Sequence, residues 1–195
     1  MSYKTIGLAG TISRIGTTTQ SLQFVRFLSE VKSFACYIEM NDHSYVEKAL
    51  ELYSGAVKQK SGAISFMDMD LYTKETAMAA QKKTYDYLVK DYGSLTDSSF
   101  QRVSFLEQNI KILVCGSKPN EIFTLEERLK DRAFDDAFFI FSLSPEEDKE
   151  SVLEMMEERQ KRTFFASIQT DPFSMIVPNP IYGDLLSVAF EGGGH

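Results

Sequence analysis

A three-layer α/β domain, with helices on both faces of a mostly parallel sheet, is the fold class this sequence predicts. Three observations carry it. Short apolar runs alternate with longer amphipathic segments along the 195-residue chain. Several runs, among them Ile110-Lys-Ile-Leu-Val-Cys115 and Ala137-Phe-Phe-Ile-Phe-Ser142, are nearly or wholly continuous, as strands buried on both faces are. The first run enters a glycine-flanked loop, closes in a hydroxyl triplet and leads into an amphipathic segment.

Composition sets the outer bounds. The chain is 43 % hydrophobic and 25 % charged, an ordinary soluble globular balance. One domain over 1–190 is expected, followed by a disordered glycine-rich tail over 191–195. No basic-then-apolar leader opens the chain, and no apolar run approaches the ~20 residues of a membrane span. The two cysteines, Cys36 and Cys115, sit in strand-like runs and read as buried reduced thiols, which fits a cytoplasmic protein. A net charge of −7 argues against strong nucleic-acid binding.

Each element has its own signature. Residues 4–9 form the first strand. From Thr17 to Val31, Leu22, Val25, Leu28 and Val31 recur at helical spacing. Phe34–Ile38 is a short strand ending in Glu39-Met-Asn-Asp42, and Asn41 and Asp42 either face a ligand or cap a helix over Ser44–Tyr53. Ala63–Met67 reads as the third strand. Asp68 and Asp70 behind it are either a solvated strand end or, less specifically, a metal pair. A helix is expected from Lys74 to Thr84, where Ala77, Met78, Ala79 and Ala80 favour it. Tyr85–Asp91 is a strand, and Asp91 at its end either holds Mg²⁺ through water or serves the turn at Gly93. After Ile110–Cys115 a helix runs over Glu121–Asp131. After Ala137–Ser142 the Ser144-Pro-Glu-Glu147 start predicts a helix to about Gln160. Arg159, Lys161 and Arg162 at its end complement the helix dipole. Thr163–Ile168 is the last strand. Asp171-Pro172 follows, then a segment with Pro178 and Pro180, then a short apolar stretch over Ile181–Val188.

The chemistry concentrates in the first loop. Gly10-Thr-Ile-Ser-Arg-Ile-Gly-Thr-Thr-Thr19 has the grammar of a phosphate cradle, where loop amides and a helix N-terminus attract anions. Its candidate phosphate-binding residues are Gly10, Ser13, Arg14, Ile15, Gly16, Thr17, Thr18 and Thr19. The lysine that should follow the second glycine is replaced by Thr17. Arg14 is the cation within the loop; it either grips a phosphate bidentately or faces solvent.

In order and content, roughly residues 3–186 resemble the ParA/MinD branch of P-loop NTPases, including its CpaE/TadZ-type relatives. Gly16-Thr-Thr-Thr19 stands against that family's Gly-Lys-Thr-Thr, and Glu39-Met-Asn41 against its Asp-x-Asp. Tyr85-Asp-Tyr-Leu-Val-Lys-Asp91 resembles its Tyr-Asp-(apolar)₃-Asp strand, Ile112–Pro119 its proline-ended strand, and Thr163–Pro172 its late strand with an Asp-Pro loop. The resemblance implies ATP or ADP with Mg²⁺ as ligand, Thr18 and Asp91 as metal ligands, Asp91 and Glu39 as catalytic carboxylates, and Pro172 near the adenine. It also implies a homodimer. The signature lysine that crosses the family's dimer interface falls on Ile12, an apolar residue that could pack against a partner directly.

Phosphoryl transfer needs positive charge on the developing oxyanions, so the loss of lysine at Thr17 predicts weak nucleotide binding and slow or absent hydrolysis. Three readings follow. One is a ParA/MinD-like scaffold or positioning factor working with protein partners in a larger assembly of partition, secretion, pilus or conjugation type. The second is an ATPase using Arg14 in place of lysine. The third is a nucleotide-free protein-binding module that keeps only the fold.

Overall fold

The computed structural model describes residues 3–169, 171–173 and 179–191. Nine strands form one sheet: β1 (Lys4–Gly10), β2 (Ala35–Glu39), β3 (Val57–Lys58), β4 (Ile64–Phe66), β5 (Met69–Tyr72), β6 (Tyr87–Ser94), β7 (Ile110–Cys115), β8 (Phe138–Phe141) and β9 (Thr163–Phe165). Their order is β3-β4-β5-β2-β6-β1-β7-β8-β9, parallel from β5 to β9 and antiparallel only through the β3–β4–β5 edge. The helices are α1 (Thr17–Glu30), α2 (Tyr45–Leu52), α3 (Ala77–Ala80), α4 (Arg102–Leu106), α5 (Pro119–Leu129), α6 (Lys149–Met156) and α7 (Ile181–Glu191).

The strands sort their side chains by parity, and this makes the three layers. Ile6, Leu8, Ile112 and Val114 pack with Leu22, Val25 and Leu28 of α1 and with Tyr182 and Leu185 of α7. Ala9, Leu113 and Cys115 face the other way, against Phe105, Leu125, Val152 and Met156 of α4, α5 and α6. Both faces of β1 and β7 are thus buried, which is why these strands are so apolar. Cys36 and Cys115 are free and buried, and burial raises both thiols well above their ordinary range.

Several expectations are corrected. The run over 63–67 is not the third parallel strand. Met67 and Asp68 both take positive φ, 47° and 61°, and form a two-residue hairpin turn that returns the chain as β5. It is β5 that lies beside β2. Asp70 therefore sits within a strand, where Ser65, Lys83 and Tyr85 occupy its carboxylate at 2.7, 2.9 and 2.5 Å. Among the described residues no three acidic, histidine or cysteine side chains gather as a metal site. Second, the helix expected over 74–84 shortens to the single turn of α3. Third, the helix expected over 144–160 is split: α6 is flanked by 3₁₀ turns at Glu146–Asp148 and Glu157–Arg162, and Glu157 with φ 48° breaks the ladder. Fourth, the apolar stretch over 181–188 belongs to an eleven-residue helix, α7, that includes Glu191. Residues 192–195 of the expected tail, and Pro178, lie outside the described residues. The strand expected over 163–168 ends at Phe165, and β3 and α4 have no counterpart in the sequence reading.

Candidate functional site

Strand β1 lies between β6 and β7 near the middle of the sheet, and its C-terminal end delivers the loop. The loop folds back on itself at Gly10. A Cβ there would stand 2.5 Å from Thr17 Oγ1, 2.7 Å from Ile15 Cγ2 and 2.8 Å from the Ile12 carbonyl, so only glycine admits this path. Thr11 N–H anchors the start of the loop by donating to the Val114 carbonyl of β7 at 2.9 Å. Gly16 closes it with φ 96°, a left-handed conformation natural to glycine. Helix α1 begins at once, its first bond running from Gln20 N–H to the Gly16 carbonyl at 2.9 Å. No side chain caps α1 and no acidic residue stands in its first turn. Its first amides and the positive end of its dipole therefore face the loop uncompensated, which favours an anion there.

Beside the loop stands Asp91, fully buried at the end of β6. Register sets it next to Leu8 of β1 on one side and Glu39 of β2 on the other. Thr18 and Tyr37 hydroxyls donate to its Oδ2 at 2.6 and 2.8 Å, and Gly93 N–H donates to Oδ1 at 2.9 Å. Burial raises the carboxyl above its ordinary range, and these donors pull it partly back. Glu39 is held differently. Its two oxygens accept from the Tyr45 and Val46 amides at 2.6 and 3.1 Å, across the N-terminus of α2. Burial raises its carboxyl too, against those two bonds. Asn41 bridges the neighbourhood, donating to the Asp91 carbonyl at 3.1 Å and accepting from His43 N–H at 3.0 Å. Asp42 turns outward to Lys74 at 2.5 Å.

A cleft of about 670 Å³ opens over the loop. Ile12, Ser13, Arg14, Gly16 and Thr17–Thr19 form one side of its lining; Asp42, His43, Lys48, Gly93 and Ser94 complete it. Ser13 is fixed by its hydroxyl to Asp97 at 3.1 Å, and Asp97 also meets His43 Nε2 at 3.4 Å. Arg14 is exposed at the rim with φ 62°. Ile15 is buried beneath the loop. Ile12 is partly buried, packed on the main core. Pro172 does not line the cleft; its carbonyl accepts from Gln23 of α1 at 2.7 Å.

The expected residues Gly10, Ser13, Arg14, Gly16, Thr17, Thr18, Thr19 and Asp91 thus gather at one end of the sheet. Three others come with them that the sequence reading did not single out. Tyr37 reaches Asp91 from inside β2. Lys48 enters from α2, and its ammonium donates to the His43 carbonyl at 2.8 Å. Ser142, just past β8, has a buried Oγ with no partner among the described residues, 3.7 Å from where a Cβ on Gly16 would lie. Lys48 is four residues beyond the start signal at Ser44, one helical turn, and that spacing was the available clue.

A central parallel strand feeding a glycine-bounded loop and an uncapped helix, with an aspartate on the neighbouring strand, defines a P-loop fold. No protein-family model matches the chain, and no curated protein is significantly similar to it. Solved structures share its architecture more particularly. A plasmid partition protein of Borrelia burgdorferi, bound to AMPPNP, is 12 % identical over 98 % of this chain and 100 % of its own, with a TM-score of 0.62. The MinD cell division protein of Aquifex aeolicus is 13 % identical over 98 % and 97 %, with a TM-score of 0.64. FlhF complexed with GMPPNP and Mg²⁺ is 18 % identical over 97 % and 75 %, with a TM-score of 0.58. The chain has the ParA/MinD-like P-loop fold.

Proposed function

We propose that this protein is a ParA/MinD-like nucleotide-binding protein with an altered phosphate loop. It takes ATP or ADP weakly with Mg²⁺, hydrolyses it slowly or not at all, and works as a positioning factor with protein partners. One observation carries the reading: the loop keeps its backbone form between Gly10 and Gly16, yet at position 17 a threonine hydroxyl packs on Gly10 where a cation is wanted. The cradle fits a phosphate chain, because α1's amides are uncapped and glycine stands at the close approach. The partition protein and FlhF bind AMPPNP and GMPPNP/Mg²⁺ on the same fold, which supports the assignment of ligand class. Thr18 and Asp91, hydrogen-bonded to each other at 2.6 Å, would hold Mg²⁺, whose part would be to neutralise phosphate charge. Glu39 serves α2 with both oxygens in this arrangement, so a water-activating role would require it to leave two amides. That is a reason to expect slow turnover.

A cytoplasmic site of action and self-association belong to the same proposal. No helix among the described residues is long and apolar enough to cross a membrane. MinD is known in complex with MinC, a precedent on this fold for a protein partner.

Titration calorimetry with ATP and Mg²⁺ tests the nucleotide reading. Wild type is expected to bind weakly, and Thr17→Lys to tighten binding by about one to two orders of magnitude through one charge-assisted contact. Unchanged affinity in a correctly folded Thr17→Lys protein would leave the fold without the function.

A further inference from the structure

The cleft is not without positive charge; the charge has a different origin. Lys48 belongs to α2, not to the loop, yet it lines the same cleft as Thr17, Thr18 and Thr19. Its neighbours on the chain explain the placement. Glu39 clamps the amides of Tyr45 and Val46 and so fixes the start of α2 against the end of β2. Lys48 N–H bonds to the Ser44 carbonyl at 3.1 Å, and its ammonium turns back to the His43 carbonyl at 2.8 Å. That carbonyl is its partner among the described residues, and it is neutral. Other lysines are committed to carboxylates: Lys74 to Asp42, Lys83 to Asp70, Lys111 to Asp136. An ammonium held by one neutral acceptor at the wall of a cleft is available to a stronger, anionic one. Behind Gly16, outside the cleft lining, the buried Ser142 Oγ has no partner among the described residues.

We propose that Lys48 supplies in trans to the loop the cation that position 17 lacks, leaving the His43 carbonyl to bind the phosphate chain of a nucleotide seated on Gly16–Thr19. This rests on the nucleotide reading above. Lys48 and Arg14 are both exposed; the difference is that Arg14 is a left-handed loop residue, whereas Lys48 is carried by a helix whose start is clamped. A lysine stem four carbons long can swing its charge without moving α2.

The test is calorimetry with ATP and Mg²⁺ on wild type, Lys48→Met, Lys48→Arg, Arg14→Ala, Thr17→Lys and the double variant Thr17→Lys/Lys48→Met. Circular dichroism checks the fold of each, and Lys48 is exposed, so its replacement leaves the core intact. Lys48→Met is expected to lower affinity by about ten- to a hundredfold, and Lys48→Arg to retain most of it. In the double variant the Thr17→Lys gain is expected to offset the Lys48→Met loss, because each lysine makes its own contact with the phosphate chain. If wild type binds and Lys48→Met stays within twofold of it, the inference fails and the nucleotide reading stands. Should Arg14→Ala alone abolish binding, the cation is Arg14 and the inference likewise fails. If neither wild type nor Thr17→Lys binds ATP, both fall.

Discussion

Asp91 concentrates the energetics of the site in one carboxyl group. It is fully buried, its charge is served by two hydroxyls and one amide, and among the described residues no cation pairs with it. Burial raises its folded-state pKa above the ordinary 3.8. An acid with a raised folded pKa stabilises the fold while protonated and loses that contribution as pH rises through the folded value. Asp91 is therefore a cost at neutral pH. Asp91→Asn fits the same partners, because the Thr18 and Tyr37 hydroxyls can turn to accept from the amide while its oxygen keeps Gly93 N–H. Thermal unfolding is expected to show Asp91→Asn more stable than wild type at pH 7. The gain should shrink as pH falls and vanish below about pH 3.8. Equal stability at pH 7 and pH 3 would refute the argument. The cost at rest has a use if Mg²⁺ arrives, since a metal ion supplies the charge that the buried carboxylate lacks.

At the scale of elements, the β4–β5 hairpin shows how much two residues decide. Met67 and Asp68 form a two-residue loop with both φ positive, the geometry that asparagine and glycine adopt at least cost. A methionine there is strained, and it is half-exposed, so packing does not explain it. Met67→Asn/Asp68→Gly is expected to raise stability by about 1 kcal/mol, read from the midpoint of urea unfolding. A lower midpoint would show that Met67 contributes contacts its exposure conceals. The hairpin also sets a strand boundary that local pattern does not mark. Residues 63–72 are apolar enough throughout to pass for one strand and its turn, and only the pairing of Ser65 with Asp70 fixes where the chain reverses.

At the scale of the whole molecule, charge governs encounter. The net charge of −7 and the absence of an aromatic-interleaved basic stripe predict no submicromolar binding to random duplex DNA at physiological salt. Salt-sensitive submicromolar binding in an anisotropy titration would overturn this. The cleft concentrates what positive charge the site has, Arg14 and Lys48, beside the uncapped helix start. Self-association is the remaining whole-molecule question. Ile12 sits at the cleft lining with part of its surface on the core and part open. If two copies meet there, Ile12→Lys is expected to weaken a dimer seen by light scattering. A monomer at every concentration, with and without ATP, would end that reading.

The sequence by itself determined the layers and the loop. Continuous apolar runs at Ile110–Cys115 and Ala137–Ser142 can be buried only on both faces, and Gly10 and Gly16 bracket a turn that few other residues can make. Position 17 was legible as well, since a missing charge is a fact of composition. Tertiary structure alone decided what stands across from the loop. Tyr37 meets Asp91 because β2 and β6 pair in one register, and a shift of one residue would turn that hydroxyl to the opposite face. Lys48 joins the cleft because Glu39 fixes the start of α2, a contact between residues whose partnership no local pattern announces. Even Glu39, an acid where an acid was expected, is spent on a helix end. Periodicity and propensity are local, whereas charge in a cleft is the sum of groups that meet only when strands from distant parts of the chain lie side by side.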